Sequence, residues 1–71
     1  MTSAELVREI LSRDSLSPTS LSIKMGHNKT YLNTIIARDR ELTLPVLREF
    51  CEAAGYELVV RSNEDGYEFE I

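Results

Sequence analysis

The chain has 71 residues, 42% of them hydrophobic and 28% charged, with a formal net charge of −4, one cysteine and one histidine. That length allows a single domain with a modest core, and the apolar content separates it from disordered chains. A lone cysteine excludes an internal disulfide, one cysteine with one histidine cannot supply a structural zinc site from one chain, and no run of about 18 apolar residues offers a membrane span.

The chain opens with Thr2 followed by Glu5, the spacing of a capping box, and then Leu6, Val7, Ile10 and Leu11 form a helical stripe. A first helix is therefore expected to about Arg13. Asp14 to Leu16 connect it to Ser17, a good N-cap, with Pro18 at the first helical position, where a missing N–H costs nothing. Leu21 and Met25 share one face of this second helix. Gly26 ends it after about nine residues, at a position that favours a left-handed backbone. Asn28 is the expected N-cap of a third helix carrying the apolar stripe Leu32, Ile35 and Ile36. Leu16 before Ser17 and Leu42 before Thr43 are placed to pack on Leu21 and Leu47 as hydrophobic staples, and His27 occupies the equivalent place before Asn28.

Two short helices joined so tightly are expected to cross steeply and leave one face of the second in solvent. At 100° per residue that face carries Thr30, Asn33, Thr34 and Ala37, with Lys29 in the exposed first turn. Small hydrogen-bonding side chains without an acid suit the major groove of DNA, where base edges offer donors, acceptors and thymine methyls.

A fourth helix follows the Thr43 cap, with Pro45 in its first turn, Leu44, Leu47, Phe50, Cys51 and Ala54 inward, and Gly55 as its stop. The period then falls from 3.6 to 2. Tyr56, Leu58 and Val60 alternate with Glu57, Val59 and Arg61; Ser62 to Gly66 form a polar turn; Tyr67, Phe69 and Ile71 alternate with Glu68 and Glu70. The expectation is a single domain over 1–71, mainly α, with a four-helix core over 2–55 and a β-hairpin over 56–71 whose apolar face covers the helices. An isolated two-stranded ribbon leaves unpaired edges, so pairing with the same strand of a second copy is expected. The residues assigned to that dimer contact are Leu58, Val59, Val60, Tyr67, Phe69 and Ile71.

Charge is segregated along the chain. Residues 1–17 carry −1. Residues 18–48 carry +3, from Lys24, Lys29, Arg38, Arg40 and Arg48 against Asp39 and Glu41. Residues 49–71 carry −6, from Arg61 against seven acids. The positive part coincides with the helix pair, and screening beyond about 8–10 Å keeps it usable despite the acidic remainder.

From about Glu5 to Gly55 the chain resembles the Cro/C1-type helix-turn-helix domain of phage repressors and the related XRE regulators. The resemblance rests on Leu21-Ser22-Ile23-Lys24-Met25-Gly26, Tyr31-Leu32-Asn33-Thr34-Ile35, Thr43-Leu44-Pro45-Val46-Leu47 and Ala53-Ala54-Gly55. It implies a compact helical domain that binds a palindromic operator in double-stranded DNA as a homodimer and regulates transcription, with repression the first expectation, in the cytoplasm of a prokaryotic or phage-infected cell. It places Lys29, Thr30 and Thr34, with Asn33 beside them, where bases are read. Thr19, Arg38 and Arg40 fall where phosphates are held, and Asn28 and Tyr31 flank that set. Pro18 stands where many members carry a polar residue, Ile23 where most are polar, and Arg38 where glycine is common. The usual fifth helix is replaced by the hairpin.

The remaining polar residues read as structure. His27 is expected to pack at the turn, Cys51 to be a buried apolar residue, and Glu68 and Glu70 to guard a strand edge. Asn63 to Gly66 is too short for a calcium loop and lacks its terminal glutamate. No catalytic residue, cofactor or metal is expected. Two other readings share the fold: an antitoxin whose acidic hairpin docks a basic toxin, and a protein-interaction module without DNA binding.

Overall fold

Thr2 opens the first helix by accepting the Glu5 N–H on its hydroxyl at 3.1 Å, satisfying one of the donors that a helix start leaves without a partner. The computed structural model describes residues 1–71. It contains helices α1 (Ser3–Arg13), α2 (Pro18–Lys24), α3 (Tyr31–Arg38) and α4 (Leu44–Ala54), then strands β1 (Val59–Arg61) and β2 (Glu68–Glu70) paired antiparallel. The mainly α fold with a C-terminal hairpin is the one expected. No helix is long and apolar enough to cross a membrane.

All four helices stop in the same way. A left-handed residue follows the last turn, at Ser15 (φ 53°), Gly26 (82°), Asp39 (51°) and Gly55 (87°). The next N–H then bonds a carbonyl five positions back: Leu16 to Leu11 at 2.9 Å, His27 to Ser22 at 3.0 Å, Arg40 to Ile35 at 3.2 Å and Tyr56 to Cys51 at 2.7 Å. This is the Schellman arrangement, which satisfies carbonyls that the helix end would otherwise leave open. Glycine adopts the left-handed region freely, whereas Ser15 holds it against a Cβ clash. Ser15→Gly should accordingly stabilise the fold by about 0.5–1 kcal/mol, raising the thermal midpoint by roughly 2–8 °C in calorimetry.

The core gathers Ala4, Val7, Ile10 and Leu11 of α1 with Leu21, Leu32, Ile35, Phe50 and Cys51. Leu16 and Leu42 pack against it, as the staple positions require. Burial pushes the Cys51 thiol up from its ordinary pKa, so it stays protonated and behaves as a small apolar side chain. Two expectations are corrected. Helix α2 has seven residues rather than nine. Leu44 is 52% exposed instead of inward, because as the first residue of α4 it lies a full turn before the buried stretch. Ala4, which lies outside the predicted stripe of α1, is fully buried as well.

The hairpin pairs Val59 with Glu70, Val60 with Phe69 and Arg61 with Glu68. Its turn is held by the Asp65 carboxylate, which accepts the Tyr67 N–H at 3.1 Å. That bond, with one from Ser62, lowers the Asp65 pKa, so the turn's stabilisation is present above the usual aspartate range and fades as pH falls through it. The hairpin does not cover the helices as expected. Leu58 packs on the core, but Val60, Tyr67 and Phe69 are 55%, 62% and 63% exposed. The ribbon overhangs the helical body in a molecule with extents of 40 × 22 × 21 Å. Val59 lies on the opposite face, with Arg61, Glu68 and Glu70, because alternate residues of a strand point to opposite sides.

Candidate nucleic-acid interface

Helix α3 is positioned from both ends by side chains of other helices. At its start, the Leu32 N–H is the kind of donor that helix geometry leaves open. The Ser22 hydroxyl of α2 accepts it at 3.1 Å and donates to the Pro18 carbonyl at 2.7 Å. Ser22 is the only buried polar residue, fully enclosed, so this bond joins the helix pair inside the core. At the far end, Arg8 of α1 donates to the Ile36 carbonyl at 3.3 Å and lies 3.8 Å from the Asp39 carboxylate. Around the turn, the His27 ring stacks on Tyr31 with centroids 3.9 Å apart and reaches Glu49 of α4 at 3.2 Å.

The expected start of α3 is corrected. Asn28 is not its N-cap, for the helix begins at Tyr31 with Thr30 in the cap position and no side-chain cap bond. Asn28 instead accepts both the Thr30 N–H at 2.9 Å and the Thr30 hydroxyl at 2.8 Å. This is an Asx-turn, in which a short polar side chain bonds the backbone two residues on. The amide nitrogen of Asn28 is left free to donate. Thr30, having given its hydroxyl proton to Asn28, retains only acceptor capacity.

The outer side of α3 is otherwise open. Lys29, Thr30 and Asn33 are exposed and Thr34 is half-buried. The side chains of Lys29, Asn33 and Thr34 have no hydrogen-bond or ion-pair partner within the chain; the basic members of the ion pairs formed are Arg8, Arg13 and His27 alone. Lys24, Lys29, Arg38, Arg40 and Arg48 are therefore all exposed and unpaired. The two acids of the same segment are drawn away to the start of α1. Asp39 accepts the Thr2 hydroxyl at 3.4 Å, and Glu41 accepts the Ser3 hydroxyl at 2.7 Å and the Ser3 N–H at 3.4 Å. A helix N-terminus is a favourable place for carboxylates, and their placement there leaves the cations around α3 less neutralised.

Tyr31 and Arg40 are brought together in one recess of about 230 Å³ that Thr43 and Glu41 also line, the Glu41 carboxylate being held there by Ser3. The Thr43 side chain makes no cap bond to α4, so its hydroxyl and the open N–H groups of that helix start are available to an anion. Thr19 is exposed in the first turn of α2 and Arg38 in the last turn of α3. Sequence reasoning missed Ser22, Arg8 and Thr43. Serine at 22 looks like any surface residue, and only Thr43 carried a signal, that of a helix cap. No cluster of three metal-ligating side chains occurs. No protein-family model, curated protein sequence or solved structure matches the chain.

Proposed function

We propose that the protein is a sequence-specific DNA-binding transcriptional regulator of the Cro/C1 helix-turn-helix type, a repressor that grips a palindromic operator as a dimer. One observation carries this reading. Asn33 and Thr34, on the outer side of a helix anchored at both ends, and Lys29, in the turn just before it, stand without internal partners among cations whose neighbouring acids are engaged elsewhere. Polar side chains that a fold leaves unused, on a rigid element, suit contacts to base edges.

In this mechanism α3 enters the major groove. Lys29 donates to guanine or another acceptor-bearing edge, Asn33 offers its amide to adenine, and Thr34 presents both hydroxyl and methyl. Thr30, restricted to accepting, reads a donor such as a cytosine or adenine amino group. Arg38, Arg40, Thr19, the Asn28 amide and the Tyr31 hydroxyl hold phosphates, which fix register without selecting sequence. Two copies set their α3 helices about 34 Å apart in successive grooves.

The acidic hairpin with its bare aromatic face favours one further reading, an antitoxin that docks a basic toxin while binding DNA. A toxin reading frame beside the gene would support it.

Selection of duplexes from a random pool tests the proposal. The expected product is an inverted repeat with half-site centres about 10–10.5 base pairs apart. Recovery of no shared sequence would defeat it.

A further inference from the structure

The hairpin's two faces are chemically opposite, and its hydrogen bonds show which backbone groups remain free. Ser62 N–H bonds Tyr67 O at 2.8 Å and Ile71 N–H bonds Leu58 O at 3.2 Å. Antiparallel ladders alternate, so Leu58, Val60 and Ser62 direct their backbone groups into the ribbon, and those of Val59, Arg61, Glu68 and Glu70 point outward. The free edge of β2 is thus built from Glu68 and Glu70. Any two-fold pairing of that edge with itself keeps each side chain on its own side of the joint sheet. It therefore sets carboxylate opposite carboxylate, which is destabilising. Pairing through the β1 edge escapes that clash but leaves Val60, Tyr67 and Phe69 in water.

We infer that a second copy of this chain docks on the apolar face of the hairpin, ribbon stacked on ribbon, rather than on either strand edge. This refines the dimer of the proposed function and rests on that reading only for its biological use. Stacking turns Arg61, Glu68 and Glu70 of both copies outward to solvent. It buries Val60 and the Tyr67–Phe69 pair, whose rings already meet edge to face at 5.0 Å. A two-fold axis through this face sets the same apolar residues of the two copies against one another, the form an isologous contact takes. Packed sheets lie about 10 Å apart, a gap that aromatic side chains fill. Leu58, at the root of the same face, packs on the helical core, so the second ribbon extends an apolar surface that the chain's own helices cover only in part.

The area sets the strength. From their exposures, Val60, Tyr67 and Phe69 offer roughly 400 Å² per copy, or about 800 Å² in total, below the 1,200–2,000 Å² of a standing interface. The dimer is therefore weak in free solution and completed on an operator, where two half-sites hold the copies together.

Sedimentation equilibrium of the full chain without DNA, from about 10 μM to 1 mM, tests this. Wild type should show a reversible monomer–dimer equilibrium. Phe69→Ser, with an unchanged circular dichroism spectrum, should raise the dissociation constant about tenfold or more. Glu70→Lys should leave that constant within about twofold, since Glu70 faces solvent in the stacked form. Wild type monomeric throughout would overturn the inference. So would a dimer indifferent to Phe69→Ser, or one tightened tenfold by Glu70→Lys, the signature of edge pairing. A monomer whose Tyr67 and Phe69 resonances move on adding a cationic amphipathic peptide would assign the face to a basic partner instead. Because no DNA is present, a stacked dimer that ignores every duplex would defeat the functional reading alone.

Discussion

Ser22→Ala is expected to lower folding stability by about 1–3 kcal/mol, a cost out of proportion to the one oxygen removed. The Leu32 N–H lies at a buried helix start and has the Ser22 hydroxyl as its acceptor at 3.1 Å. Without that oxygen the donor is sealed from water with no partner, which costs far more than the bond is worth in an exposed place. In a domain this small, each kcal/mol shifts the thermal midpoint by roughly 4–8 °C. The loss should be local as well as global: amide exchange at Leu32 should accelerate more than exchange in α1. Unchanged melting together with unchanged Leu32 protection would show that α3 is held by packing alone.

Arg40→Ala is expected to weaken binding to all duplexes alike. Arg40 is exposed, unpaired and beside Tyr31 and Thr43 in one recess whose carboxylate, Glu41, is engaged by Ser3, which leaves the guanidinium open to a phosphate. If each copy neutralises three or four phosphates, log affinity should fall against log salt with a slope of roughly −5 to −7 for the dimer. Removing one contact per copy should make that slope shallower by about two, since each phosphate released contributes close to one. Titrations of wild type and variant between 50 and 200 mM salt, on selected and random duplexes, would measure it. A slope left unchanged by Arg40→Ala would remove this residue from the interface.

Much of the fold could be read from local chemistry. Thr2 and the Ser17-Pro18 pair announce helix starts, and Gly26 and Gly55 announce stops. In each case the residue type is favoured because few others meet the backbone requirement. Where the same requirement is met by an ordinary residue, the pattern is silent. Ser15 and Asp39 adopt the left-handed conformation with nothing in the sequence to mark them, and the connection after α3 was unreadable for that reason. Asn28 was misplaced because a helix cap and an Asx-turn use the same side chain and differ only in which N–H it reaches.

The outer side of α3 followed from periodicity, and Asn33 stands where the helical wheel placed it, whereas Lys29, expected in the first helical turn, lies in the turn before the helix starts at Tyr31. Periodicity does not say how deep a residue sits, so the half-burial of Thr34 was hidden. It also could not reveal that Thr30 spends its proton on Asn28. For the hairpin, alternation named the apolar face correctly but not what covers it. That depends on where the ribbon leaves the helical body, which is a property of the whole chain. Ser22 and Arg8 belong to the same class, for their importance lies in partners 10 and 28 positions away.

Paired titrations of Thr34→Ala and Lys29→Ala on a selected operator and on a random duplex test most directly whether the outer side of α3 reads bases. Each variant should lose about 1–3 kcal/mol on the operator, confined to particular base pairs, and little on random DNA. Equal losses on both duplexes, or a wild-type chain that binds neither at low salt, would contradict the assignment.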